Sequence, residues 1–196
     1  MALPQQGPFG QVITAGIVCN ALKAVLLEHL GQVVEVLAVR SGFAPATVLP
    51  PLGYGATVDP EDMGDRPLGV AVVPGIQGQP VKHSDGLYEM SWDAAAGVAV
   101  SARSADEAKA LAEVYAAAVR ACVLQHAGLN GLASSTRWVD ERIEEINWNP
   151  GVSVWAATVQ FVIAVDAAVD GYATASPSPV VERYQITVQN RDFEES

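Results

Sequence analysis

Residues 88–165 carry the pattern that most limits how this chain can fold: a strand period, a capped helix, then two more strand periods. Ser104-Ala105-Asp106-Glu107 is a capping box, in which the Ser104 hydroxyl accepts from the Glu107 backbone N–H while the Glu107 carboxylate reaches back to the N–H of Ser104. A helix therefore starts there. Ala108, Leu111, Tyr115, Ala118, Val119 and Cys122 recur at three- and four-residue spacing and share one face. Lys109, Glu113 and Arg120 occupy the other, and Gly128 supplies a left-handed stop. Upstream, Trp92, Ala94, Ala96, Val98 and Val100 alternate with Asp93, Ala95, Gly97, Ala99 and Ser101, the period of a strand lying on a packed layer. Downstream, residues 138–146 and 154–165 read as two strands. They join through Asn149-Pro150-Gly151, where proline fixes one turn dihedral and glycine permits a positive φ. The pattern predicts an α+β fold, a mixed or antiparallel sheet packed by two helices, with a long Pro-rich loop and a C-terminal extension.

The second helix is expected over residues 13–30, where Ile17, Val18, Ala21, Leu22, Val25 and Leu26 make a broad apolar face and Gly31 a stop. Residues 33–39 then read as a short β-branched strand. Residues 41–67 hold Pro45, Pro50, Pro51, Pro60, Pro67 and four glycines and end in Asp59, Glu61, Asp62 and Asp65. Loops of this length without ladders are usually functional or disordered, and ordering against a neighbouring subunit is the expectation. Residues 68–73 read as a strand and 74–86 as a turn-rich connection, a hairpin tip. Past Asp170-Gly171, Ser176-Pro177-Ser178-Pro179 is a stiff spacer. Beyond it Val181, Arg183, Gln185 and Thr187 alternate with Glu182, Tyr184, Ile186 and Val188, a half-buried strand able to add to a neighbour's edge. A chain of 196 residues suits one domain with arms: an N-terminal arm over 1–11, an α+β domain over 12–169, and a C-terminal linker and strand over 170–196.

Charge and motif content narrow the chemistry. A net charge of −11 argues against a surface that grips phosphate backbones. Only 17% of residues are charged, against roughly 25% in soluble domains, so apolar surface is expected between subunits. Cys19 and Cys122 fall on helical patterns and read as small buried groups without a disulfide. No secretory pattern opens the chain, so synthesis in the cytosol is expected. Residues 152–169 are apolar but include Ser153, Thr158, Gln160 and Asp166, which fits a buried or interfacial strand better than a membrane span. His29, His83 and His126 lack a second ligand at helical spacing, and Gly53-Tyr54-Gly55 precedes no helix, so neither a metal nor a cofactor is expected. No nucleophile elbow or phosphate loop is present, so nothing points to an enzyme. The acids Asp140, Glu141, Glu144 and Glu145 could form an acid–base pair or a cation site, but a charged solvated or interfacial strand is the expectation. Strict alternation puts Asp140 and Glu144 with Trp138 and Arg142, and Glu141 with Val139 and Ile143. Trp92, Trp138, Trp148 and Trp155 read as core and cross-strand packing, with one or two available to anchor a subunit interface.

Taken in order, the apolar first helix, the Pro-rich loop, the strand at 68–73, the strand Trp92 to Val100, the helix beginning Ser104-Ala105-Asp106-Glu107, then Trp138-Val139-Asp140-Glu141-Arg142 and its partner over 155–165 resemble the tail-terminator (tail-completion) proteins of long-tailed bacteriophages. The resemblance spans residues 12–166. It implies a homohexameric ring in the virion tail or neck, assembled in the host cytoplasm. The ring caps the tail-tube protein, ends tube growth and meets the head–tail connector or head-closure protein. The loop over 41–67 and the extension from 170 depart from that pattern. Around a channel, six copies at −11 each would let DNA pass without tight binding. Asp140, Glu141, Glu144 and Glu145, with Asp59, Glu61, Asp62 and Asp65, are the candidates to line or rim that channel. Their plainer role is a soluble outer surface. Another neck connector, a head-closure or tail-tube subunit, or a soluble homo-oligomeric α+β enzyme are the alternatives.

Overall fold

The computed structural model of the chain describes residues 12–44, 48–57, 66–149 and 152–170. Its elements are α1 (Ala15–Arg40), β1 (Tyr54–Gly55), β2 (Leu68–Lys82), β3 (Leu87–Ser101), α2 (Ala105–Gln125), a 3-10 turn (Leu129–Gly131), β4 (Ser135–Asn149) and β5 (Val152–Asp170). The sheet runs β1-β2-β3-β5-β4, with β1 parallel to β2 and every other pairing antiparallel. It is an α+β fold with a mixed sheet, as the periodicities predict.

α1 is one helix across both the expected helix and the expected strand. Val18, Leu22, Val25, Leu26, Leu30, Val34 and Ala38 are buried at helical spacing, so tertiary packing carries the helix through Gly31 and the valines that follow. Gly31 is a contact and not a stop: a Cβ there would lie 3.4 Å from Pro50 Cγ. The stop is at Gly42, whose φ of +82° lets Gly42 N–H bond to the Val39 carbonyl and Phe43 N–H to that of Ala38, at 3.2 and 2.9 Å. This is a Schellman ending with glycine at the left-handed position. Thr14 caps the other end, its hydroxyl accepting from Ile17 N–H.

α2 begins as the capping box requires, with Ser104 Oγ accepting from Glu107 N–H at 3.2 Å. It ends at His126 and not at a left-handed Gly128, whose φ is −77°. The left-handed residues are Leu129, Asn130 and Gly131, in the turn that leads to β4. β2 also outruns its sequence signal. It continues past Val73 through Pro74 and Pro80, both at register shifts in the half of the strand that β1 leaves unpaired. The β2–β3 turn follows at residues 83–86, where Gly86 takes φ +85°.

α1 and α2 pack side by side against the sheet face that bears Trp92, Ala94, Ala96 and Val98 of β3 and Val159, Phe161 and Ile163 of β5. Trp92 is 2% exposed. The stacked imidazoles of His29 and His126, 3.7 Å apart and 8° from parallel, join the middle of α1 to the end of α2. No described helix lies on the opposite face.

Candidate assembly surface

That opposite face is built in rows across the strands. One row runs Val70, Gly97, Thr158, Arg142; another runs Asp93, Val162, Arg137. Around Asp93 its central strands present the small or neutral Ala95, Gly97, Thr158 and Gln160, and β4 adds the charges of Arg137, Asp140, Arg142 and Glu144. Between the β2 and β4 bulges it holds an open depression of about 410 Å³, walled by Pro74, Gln77, Asp93, Ala95, Val139 and Gln160. This wall offers one carboxylate and two amides, and a proton-transfer pair would need a second titratable group.

The β4 acids alternate as a plain strand would place them, but Trp138 does not share the face of Asp140 and Glu144. A bulge at Val139 separates the pairing of Trp138 with Phe161 from that of Asp140 with Gln160. The extra residue puts Trp138, Glu141 and Ile143 on the helix-covered face, and Asp140, Arg142 and Glu144 on the open one. Glu141 is then met by Arg120 of α2, whose Nη1 donates to Glu141 Oε2 while the guanidinium stacks 4.8 Å over the Trp138 ring. Asp140 accepts from Arg142 Nε at 3.3 Å, and Glu145 from the Ser153 hydroxyl at 3.0 Å. Among the described residues no cation pairs with Glu144. Three of the acids are thus engaged by neighbours, and Asp140, Glu144 and Glu145 are exposed while Glu141 is half-buried. Asp59, Glu61, Asp62 and Asp65 lie outside the described residues.

The tryptophans divide likewise. Trp92 belongs to the core and leaves the interface set. Trp138 is 43% exposed, with its indole N–H donating to the Asp140 carbonyl. Trp155 donates to Ser153 Oγ and lies under Lys109 Nζ, 5.7 Å from the ring centre. Trp148 is on β4, and its side chain lies outside the described residues, as do residues 150–151 of the β4–β5 turn.

Part of the Pro-rich loop is held by the subunit itself. Tyr115 of α2 donates its hydroxyl proton to the Leu49 carbonyl. Pro50 rests on Gly31, and the Tyr54 ring lies over Gly69, where any Cβ would fall 2.8 Å from that ring. Val48 and Tyr54 are buried, whereas Leu52 between them is 76% exposed. Residues 48–57 are therefore a strap fixed on the core, and dependence on a neighbour is left for the remainder of the loop. Sequence reasoning missed both Arg120 and this strap, because each links residues far apart in the chain, 120 to 141 and 49 to 115. A lone arginine within the small-residue run of α2 is the one local hint.

Arg120→Ala removes an ion pair and a cation–ring stack at a partly buried site, an expected loss of about 1–2 kcal/mol. Urea denaturation followed by Trp138 fluorescence measures it.

Cys122, wholly buried, has its thiol pushed up to about 11 from an ordinary 9.0 by burial. Burial, chiefly, also raises the phenols of Tyr54 and Tyr115. Above pH 9 the unfolded thiol releases its proton while the native one keeps it, so stability falls as pH rises. The loss should approach ~1.4 kcal/mol for each pH unit between 9 and 11, with the tyrosines adding above 10. Cys122→Ala should flatten the first part of that slope in denaturation curves taken from pH 8 to 11.

No protein-family model matches the chain, and no curated protein matches it. Among the described residues no helix is long and apolar enough to cross a membrane, and no group of three or more His, Cys, Asp or Glu could hold a metal ion.

Proposed function

We propose that this chain is a structural virion protein, a tail terminator that closes as a homohexameric ring on the tail tube and joins it to the head connector or head-closure protein. The order of elements supports this reading: apolar helix, Pro-rich segment, hairpin, capped helix, then a strand pair. The observation that carries self-association is on α1. Val36 and Val39, three residues apart and so neighbours on one side of α1, are each more than half exposed on a helix whose inner side already fills the core. Neighbouring apolar side chains left in water offer a place for a contact, and a closed heterologous ring would cover them in every copy.

Copies at −11 each repel the genome from a channel wall, and Glu144 is the β4 acid placed to contribute. DNA then slides without being held. The ring sits in the virion neck after assembly in the host cytoplasm. Particles assembled without the protein should carry tails of uncontrolled length that fail to join heads. Normal tails joined to heads would refute the assignment, and a small molecule that raises the melting temperature of a dimer or tetramer would favour the enzyme alternative.

A further inference from the structure

β4 forms the long outer edge of the sheet. It pairs with β5 on one side and, among the described residues, with no strand on the other, leaving a row of N–H and C=O groups able to take another strand. We propose that residues 180–188 of one copy add there, antiparallel, to the β4 of a neighbouring copy. The number of copies rests on the ring reading above; the strand addition does not.

Charge selects this occupant. An antiparallel strand with Glu182 opposite Arg142 has Arg183 opposite Glu141, Val181 opposite Ile143 and Tyr184 opposite Asp140. Two opposite-charge pairs and one apolar pair fall into a single register. A parallel strand with Glu182 opposite Glu141 would instead bring Arg183 against Arg142. A second β4 fits poorly. About a two-fold axis, centring on Glu141 or on Arg142 sets that residue against itself, and centring on Ile143 sets Glu141 against Glu145. Like charges directly opposite are destabilising, so the charges that protect this edge from another β4 accept the tail segment.

Reach selects the neighbour. β5 ends at Asp170, opposite Leu87 of β3, whereas the proposed register needs Val180 beside Glu144, which pairs with Ala156 and through it with Ala99. Leu87 to Ala99 is twelve residue steps along β3, ~40 Å of strand. The ten steps from Asp170 to Val180 span at most ~35 Å fully extended, and less where Pro177 and Pro179 set a polyproline rise. The segment falls short of its own edge, and exchange between copies links each subunit head to tail with the next.

The test is a cysteine pair, Val181→Cys with Ile143→Cys, in the full chain carrying Cys19→Ser. Mild oxidation should give a ladder of covalent oligomers on a non-reducing gel, absent from either single variant. Arg142 is exposed, and Arg142→Glu or Glu182→Arg should each weaken association about five-fold, while the double reversal should restore it. Cross-links confined to single chains, or none, would overturn the exchange even if rings persist in mass photometry. A ladder from particles other than hexamers would uphold the exchange and refute the hexamer.

Discussion

Trp92→Ala should cost about 3–5 kcal/mol, the largest loss expected from any single side chain here. Trp92 is 2% exposed and stands where β2, β3 and β5 meet, opposite Ile76 on one side and Ile163 on the other. Truncation removes the indole and leaves a cavity that two helices and a twisted sheet cannot close. Domains of this size have roughly 5–15 kcal/mol of stability and lose about 2–4 °C of melting temperature per kcal/mol, so a fall on the order of 10 °C is expected by calorimetry. A shift of a degree or two would mean that this part of the core is not packed as described.

Gly97→Ala should destabilise by at least about 2 kcal/mol although it adds one methyl group. Gly97 lies in β3, paired with Thr158 in the centre of the sheet. A Cβ there would sit 2.5 Å from the Ala157 carbonyl oxygen and 3.2 Å from Thr158 Oγ1. The nearer atom is backbone and cannot rotate away, so the two central strands must separate or re-register. Gly75→Ala is the control: it lies in the same sheet with nothing within 4 Å of its added Cβ and should be nearly neutral. Equal melting temperatures for the two variants would contradict the β3–β5 register.

What could be read from sequence and what could not divide along physical lines. α2, β3 and the β4–β5 pair are legible because a capping box and a two-residue period are local signals that packing reinforces. The second half of α1 was misread because Gly31 and the valines after it carry weak helix preference, while the burial of Leu30, Val34 and Ala38 that overrides it is tertiary. β2 was cut short at Pro74 because proline in a strand is tolerated only at an edge or bulge, and edge position is a property of the finished sheet. On β4 plain alternation groups Asp140, Arg142 and Glu144, and Glu141 with Ile143, as the structure does, but it puts Trp138 on the wrong face because of the extra residue at Val139. Glu141 meets Arg120, a partner that no spacing announces.

Whether copies of this chain close on one another is measured most directly by mass photometry at micromolar concentration, with and without purified tail tubes. A single species near 123 kDa, six times the 20.5 kDa chain, alone or on addition of tubes, is the expected result. A strict monomer under both conditions would contradict it.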